Sequence, residues 1–300
     1  MKFEKTWVGN FEGAFRGMRN PKNSWHLSDS DFAIANIRDY EGGTEVANKW
    51  VKALNPTLNW PEKFSNEGWD LSNKYLDKLT QNGVLRLNDY DDSGEFAMIG
   101  PNDMKLAQML IKAGPEHRKF LRQIFVSVDI TAPLYFWKEL DTYMVSTVKN
   151  STSTMHKLTS KPITLESFEI DDFNPDLVYY TLPDYASNSK DIMENDVGML
   201  ADLIIEQLEF LRQKYLETKD KRYWKELVRL LPESWLQKRT WTANYETIRS
   251  ICHQRAHHKL NEWAGADDSS KTNFIAWAKE LPYANYLIFD QEDPFHLFEK

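Results

Sequence analysis

From residue 102 onward the hydrophobic positions fall into clear helical and strand periods. Leu106, Met109, Leu110 and Ala113 share a helical face, with Asn102 or Asp103 as the cap and Gly114 as the stop. Pro115 suits a first helical position, so PEHRKFLRQ reads as a further helical turn or two. Residues 124–131, IFVSVDIT, alternate apolar and polar and predict a strand. Pro133 then starts a helix with Leu134, Trp137, Leu140 and Met144 on one side. That helix runs into VSTVKNSTSTMHKL, which is too rich in Ser and Thr to sustain it. Residues 192–217 predict the longest amphipathic helix, carried by Val197, Leu200, Ile204, Leu208, Leu211 and Tyr215. WKELVRLL is a short helix leading to Pro232, and TWTAN a short extended piece. Asn244 is placed to cap a helix over YETIRSICHQRAHHKLNEWAG, closed by Gly265. A last helix, FIAWAKEL, precedes an aromatic tail.

Before residue 102 the pattern is weaker. RGMRNPKNSWHLSDSD reads as an ordered loop. Residues 31–101 are dense in Asn, Asp and Gly with short helical patches such as WVKAL and LSNKYLDKL, and read as an elaboration on a scaffold. No internal repeat is present.

Composition narrows the function classes. A chain of 300 residues folds around its own core, and a single cysteine, Cys252, excludes an internal disulfide framework and a cysteine-based zinc site. No apolar run reaches the roughly 20 residues of a membrane-spanning helix, and the N-terminus lacks a signal peptide's apolar stretch, so the expectation is a cytoplasmic protein without a membrane partner. A net charge of −8 argues against general nucleic-acid binding. The charge is uneven, however. Residues 238–259 hold five Lys/Arg and one acid, Glu246, while residues 142–161 hold three lysines and no acid. Two basic runs, each beside an apolar helix, fit a pocket for a small phosphorylated ligand; a solvated helix face is the plainer alternative.

Arg255 is the focal cation, because its guanidinium fork matches phosphate geometry, although a surface salt bridge explains its spacing equally well. His253, His257 and His258 lack the nearby carboxylates of a metal site, so no metal is expected. Cys252 lies on the apolar side of its helix and reads as core. GxGxxG and GxxxxGK[ST] are both absent.

Leu231-Pro232, Trp241-Thr242-Ala243-Asn244 and Arg255 together resemble the C-terminal signature of flavin-dependent thymidylate synthases, with spacing intact. The segment from LIKAGPEHRKF to Ala132-Pro133 and on to TMHK is similar to the family's other half. The resemblance covers residues 103–162 and 226–265, and GAFRGMRNPKNSW weakly. It implies one α+β domain over residues 1–300 with an elaboration at about 31–101, built of long helices packed on a small, mostly antiparallel sheet, together with a homotetramer and binding of dUMP and FAD. It also implies methylene transfer to uracil C5, with hydride supplied by reduced flavin.

The family's Arg-His-Arg-x-x-Ser-x-Asn-Glu-x-Ser-x-Arg-Tyr run is missing. In its place stand Thr142-Tyr143-Met144, then Thr147, Lys149, Asn150, Thr152, Thr154 and Met155. A flavin-binding arginine of the later helix is replaced by Glu246, whose charge opposes a pyrophosphate. The resemblance therefore implies substrate contacts at Arg255, Arg229 (after a one-residue shift), Lys149, Asn150 and Thr152. It implies FAD contacts at Asn244, His117 and Tyr143. No residue is assigned as catalytic. Two further readings stay open: a non-catalytic nucleotide-binding protein, and a partner-binding protein on the same scaffold.

Overall fold

The computed structural model describes residues 1–34, 95–170, 173–183, 192–264 and 273–290. Most of the expected elaboration at 31–101, including WVKAL and LSNKYLDKL, lies outside the described residues, as does Gly265. In chain order the elements are β1 (Lys2–Gly9), α1 (Phe11–Arg19), β2 (Asp31–Ile34), β3 (Glu95–Met98), α2 (Pro101–Ala113), β4 (Phe125–Pro133) and α3 (Leu134–Leu140). There follow β5 (Val148–Ser151), α4 (Thr154–Lys157), β6 (Val178–Pro183), β7 (Ile192–Asp196), α5 (Val197–Thr218), α6 (Lys221–Leu230) and β8 (Leu236–Asn244). The chain continues through α7 (Tyr245–Arg255), α8 (Asn261–Ala264), α9 (Phe274–Lys279) and α10 (Ala284–Leu287).

The fold is mixed α+β, with long helices against a small open antiparallel sheet. The sheet order is β1–β4–β8–β5. Two antiparallel pairs stand apart from it, β2 with β3 and β6 with β7. The β2–β3 pair brackets residues 35–94, joining Asp31 to Met98 and Ile34 to Glu95 in register.

The chain divides into two compact units. The first comprises Met1–Lys2, Asp129–Thr142 and Lys149–Thr240; the second comprises Phe3–Val128, Tyr143–Val148 and Trp241–Lys300. In the first unit, Leu158, Ile163, Phe168, Leu208 and Leu227 form a core, flanked by Ile204, Leu211 and Trp235. In the second, the core is aromatic. Phe11 meets Tyr245 and Tyr283 edge-on, and Trp241, Trp263, Phe274 and Trp277 pack ring against ring. Such pairs contribute about 0.5–1.5 kcal/mol each beyond their buried area.

Strand β4 behaves as its alternation predicts, burying Val126, Val128, Ile130 and Ala132. Helix α2 does not. Its buried face is Asp103, Met104, Ala107 and Ile111, while Met109 is exposed, so the expected stripe is rotated. The reason is Asp103, a carboxylate that a hydrophobicity pattern places outside. It is buried against Arg19 and accepts from the Ser28 and Ser30 hydroxyls. Neither Asn102 nor Asp103 is the cap: both lie in the first turn, and Asp29 accepts from their backbone N–H groups at 2.9 and 3.1 Å. The close approach of Asp29 leaves no room for a Cβ at residue 100, the helix's N-cap glycine. Gly114 does end α2, with φ of 111°. No helix begins at Pro115; a turn leads to a 3-10 helix at Lys119–Gln123.

Helix α3 ends at Leu140, so Met144 lies beyond it and is exposed. The long helix starts at Val197, because residues 192–196 form β7. Helix α7 stops at Arg255, well short of Gly265. The His258 N–H closes a tighter turn on the Arg255 carbonyl, and the His258 ring accepts from Leu260 N–H, competing with helical bonding. The chain then turns into α8, and Trp263 enters the core.

Candidate functional site

In the second unit, strand β8 delivers Asn244 to the start of α7. The Asn244 Oδ1 accepts from Thr247 N–H at 2.9 Å, which is the expected cap. One residue short of the far end, Gln254 donates to Ser250. The Tyr143 hydroxyl donates to Gln254 Oε1 and accepts from Arg255 Nε, each at 3.1 Å. The Arg255 guanidinium also lies 5.7 Å from the Tyr143 ring centre and 5.1 Å from that of Trp263. Thr247 Oγ1 donates to the Val145 carbonyl, so residues 143–148 are tied to α7 at two points. The result is a half-buried cation held beside two aromatic rings and one hydroxyl. Such pre-orientation reduces the conformational entropy lost when an anion binds.

The other candidates of this unit are more committed. Glu246, the expected repulsive charge, accepts from Arg118 Nε through both oxygens, at 2.9 and 3.1 Å. The pair neutralises itself through the Arg118 Nε alone. His117 is exposed on the turn before it, its N–H bonded to the Gly114 carbonyl. His253 Nε2 meets the Ile288 carbonyl at 3.0 Å. Among the described residues no group of three or more metal-ligating side chains exists. Cys252 is buried, and burial pushes its thiol up to about 12.

In the first unit, Lys149 donates to the Leu140 carbonyl at 3.2 Å and pairs with Asp141 at 3.1 Å. Asn150 and Thr152 are exposed; Thr152 lends its backbone to Lys238 and to the Gln237 side chain. Arg229 is exposed and turns to Glu226 on its own helix. Thr147, in the second unit, spends its hydroxyl on the Tyr143 carbonyl. The structure thus brings Arg255 and Tyr143 together, and places Lys149, Asn150, Thr152 and Arg229 in the other unit.

Trp263 and Arg239 were not anticipated. Nothing in the spacing shows that the chain folds back after Arg255 to bring Trp263 against it. Arg239 carried a readable signal: Gln237, Arg239, Trp241 and Ala243 alternate on one face of β8, so an arginine occupies an inward register position.

These features define a small-sheet α+β fold with a pre-oriented arginine at the end of a capped helix. No family model and no curated protein matches the sequence. Among solved structures, the fold is similar to that of the flavin-dependent thymidylate synthase ThyX from Helicobacter pylori, complexed with FAD and dUMP. The TM-score is 0.51 at 12% identity, covering 97% of this chain and 99% of that one. A second structure of the Helicobacter pylori enzyme, with FAD and dUMP, gives 0.42 at 14% identity over 74% and 92% of the two chains. The UMP/dUMP methylase PolB from Streptomyces cacaoi, bound with 5-Br UMP, gives 0.39 at 15% identity over 61% and 83%.

Proposed function

We propose that this chain binds a pyrimidine nucleotide of the dUMP kind and that Arg255 grips its phosphate. The observation that carries the reading is the Arg255 guanidinium, bonded to the Tyr143 hydroxyl and 5.1 Å from the Trp263 ring centre. The similar fold of an enzyme complexed with FAD and dUMP supports it. A charge-assisted hydrogen bond contributes about 1.5–3 kcal/mol, so one arginine of this kind accounts for a large part of a phosphate's affinity.

Chemistry at uracil C5 and a homotetrameric assembly are the finer parts of the proposal. FAD fits the residues only in part. Asn244 Oδ1 is spent on the cap and the Tyr143 hydroxyl on Gln254 and Arg255, leaving His117 and the Asn244 amide N–H groups. The Arg118–Glu246 pair offers a pyrophosphate no net charge. No step is therefore derived through a flavin. That pairing favours the second reading, a nucleotide-binding protein without flavin chemistry.

The test is a thermal shift of the purified full chain with dUMP, alongside mass spectrometry of whatever co-purifies and light scattering for the assembly. The proposal expects dUMP to raise the melting temperature and Arg255→Ala to abolish that rise without unfolding the protein. A dUMP response unchanged in Arg255→Ala, or no response in the parent chain, overturns it. A yellow preparation carrying FAD supports the enzymatic form; a colourless one that still binds dUMP supports the second reading.

A further inference from the structure

The first unit holds a charged cluster in which Lys149, one of the substrate contacts implied by the resemblance, joins Arg239 and Asp141, which the nucleotide reading does not use. Arg239 donates from Nη1 to both oxygens of Asp141, each at 3.1 Å, and from Nε to Gln237 Oε1 at 2.9 Å. Its guanidinium lies 4.4 Å over the ring of Trp137. Trp137 is itself fixed, fully buried with its indole N–H shared between the Ala132 and Gln237 carbonyls. Lys149 reaches the same carboxylate, at Oδ1, at 3.1 Å. Both cations are largely buried, at 16% and 14% exposure, whereas Asp141 is 46% exposed.

Two features distinguish this cluster from an ordinary salt bridge. First, two cations share one carboxylate, so the group carries a net positive charge in a partly desolvated place, where it is costly to leave uncompensated. Second, the arginine fork is not used as a fork. Asp141 meets only Nη1, and among the described residues the Nη2 protons and one Lys149 proton have no partner. An oxyanion with three oxygens satisfies Nη1, Nη2 and Lys149 together, as one carboxylate does not. Asp141 stands one residue beyond α3, the most exposed member of the group and the one able to swing out.

We propose that Arg239 and Lys149 form an anion site for a phosphate group, free or as a monoester, in which the Asp141 carboxylate is an internal stand-in that the ligand displaces. The site uses no residue of the Arg255 cluster and does not rest on the nucleotide reading.

The test titrates the full chain with inorganic phosphate at constant ionic strength, by calorimetry, with a parallel arm using phenyl phosphate. Removing the stand-in frees the site, so Asp141→Asn binds about tenfold tighter than the parent. In the Asp141→Asn background, Lys149→Gln and Arg239→Gln each weaken binding about tenfold. Glu217→Gln, which removes one negative charge elsewhere in the unit, leaves the affinity unchanged. The tighter of the two probes identifies the source of the phosphate. Asp141→Asn binding no tighter than the parent, or tightening equally in Glu217→Gln, overturns the proposal. So does unchanged affinity after loss of either cation. If Arg239→Gln fails to fold, Arg239→Lys takes its place; it keeps the charge without the fork and must still weaken binding. The titrations are repeated in the Arg255→Ala background, which removes the phosphate grip proposed above and leaves the Asp141, Lys149 and Arg239 effects in place, so this proposal and the nucleotide reading fail separately.

Discussion

Arg118 and Glu246 meet through a single guanidinium nitrogen and both carboxylate oxygens, with their side chains only 20% and 15% exposed. The pair joins the turn after α2 to the first turn of α7. Removing one partner leaves the other's charge poorly solvated, a cost larger than the pair's net contribution. Glu246→Gln is expected to destabilise the chain by about 1–3 kcal/mol, and Arg118→Met by a similar amount. The double variant should recover part of the loss. Urea denaturation of the four proteins measures the coupling, and additive losses refute it.

Glu209 makes the first unit sensitive to acid. Its carboxyl is held at about 2, against an ordinary 4.5, chiefly by hydrogen bonds from Arg212 and with help from Ile163 N–H and Gln213, which outweigh partial burial. The unfolded chain binds this proton more readily than the folded one. The group's stabilisation is therefore complete above 4.5 and is lost as pH falls from there toward 2. Glu209→Gln should be less stable than the parent at neutral pH, and the gap should narrow through that window. A gap independent of pH would show that the pair is not linked to folding.

Asn244 matters to stability before it matters to any ligand. Its side chain closes the start of α7 and is almost fully buried. Asn244→Ala should cost about 1 kcal/mol, and Asn244→Asp, which keeps the capping oxygen, much less. Equal melting temperatures for the two variants would count against the cap.

Cys252 should be inert in the native protein, since a thiol pushed up to about 12 provides almost no thiolate at neutral pH. Alkylation followed by mass spectrometry is expected to label it only as fast as the chain opens in denaturant. Rapid labelling of the folded chain would contradict its burial.

Local structure was legible wherever a local signal decides it. The alternation of residues 124–131, the stop at Gly114 and the cap at Asn244 all appear where the residue chemistry places them. The readings that failed share a cause. Helix α2 is rotated because Asp103 is buried by Arg19, 84 residues away, and it is capped by Asp29, 73 residues from Asn102. Helix α7 ends early because the His258 side chain competes for backbone bonds, which no helical period reveals. Of the candidate residues, Asn244 was legible as a helix cap from spacing, while Arg255 and Tyr143 entered through the family resemblance.

The sequence by itself determined the α+β class, most helices, the capped start of α7 and an arginine at its end. Backbone preference, hydrophobic period and capping act over a few residues and are written in order along the chain. The tertiary structure alone decided which charges meet: Arg118 with Glu246, and Arg239 with Asp141. It also decided that Trp263 lies beside Arg255. A charged side chain has many possible partners in sequence, and the Coulomb attraction and desolvation that select one depend on distance and burial, which exist only after folding.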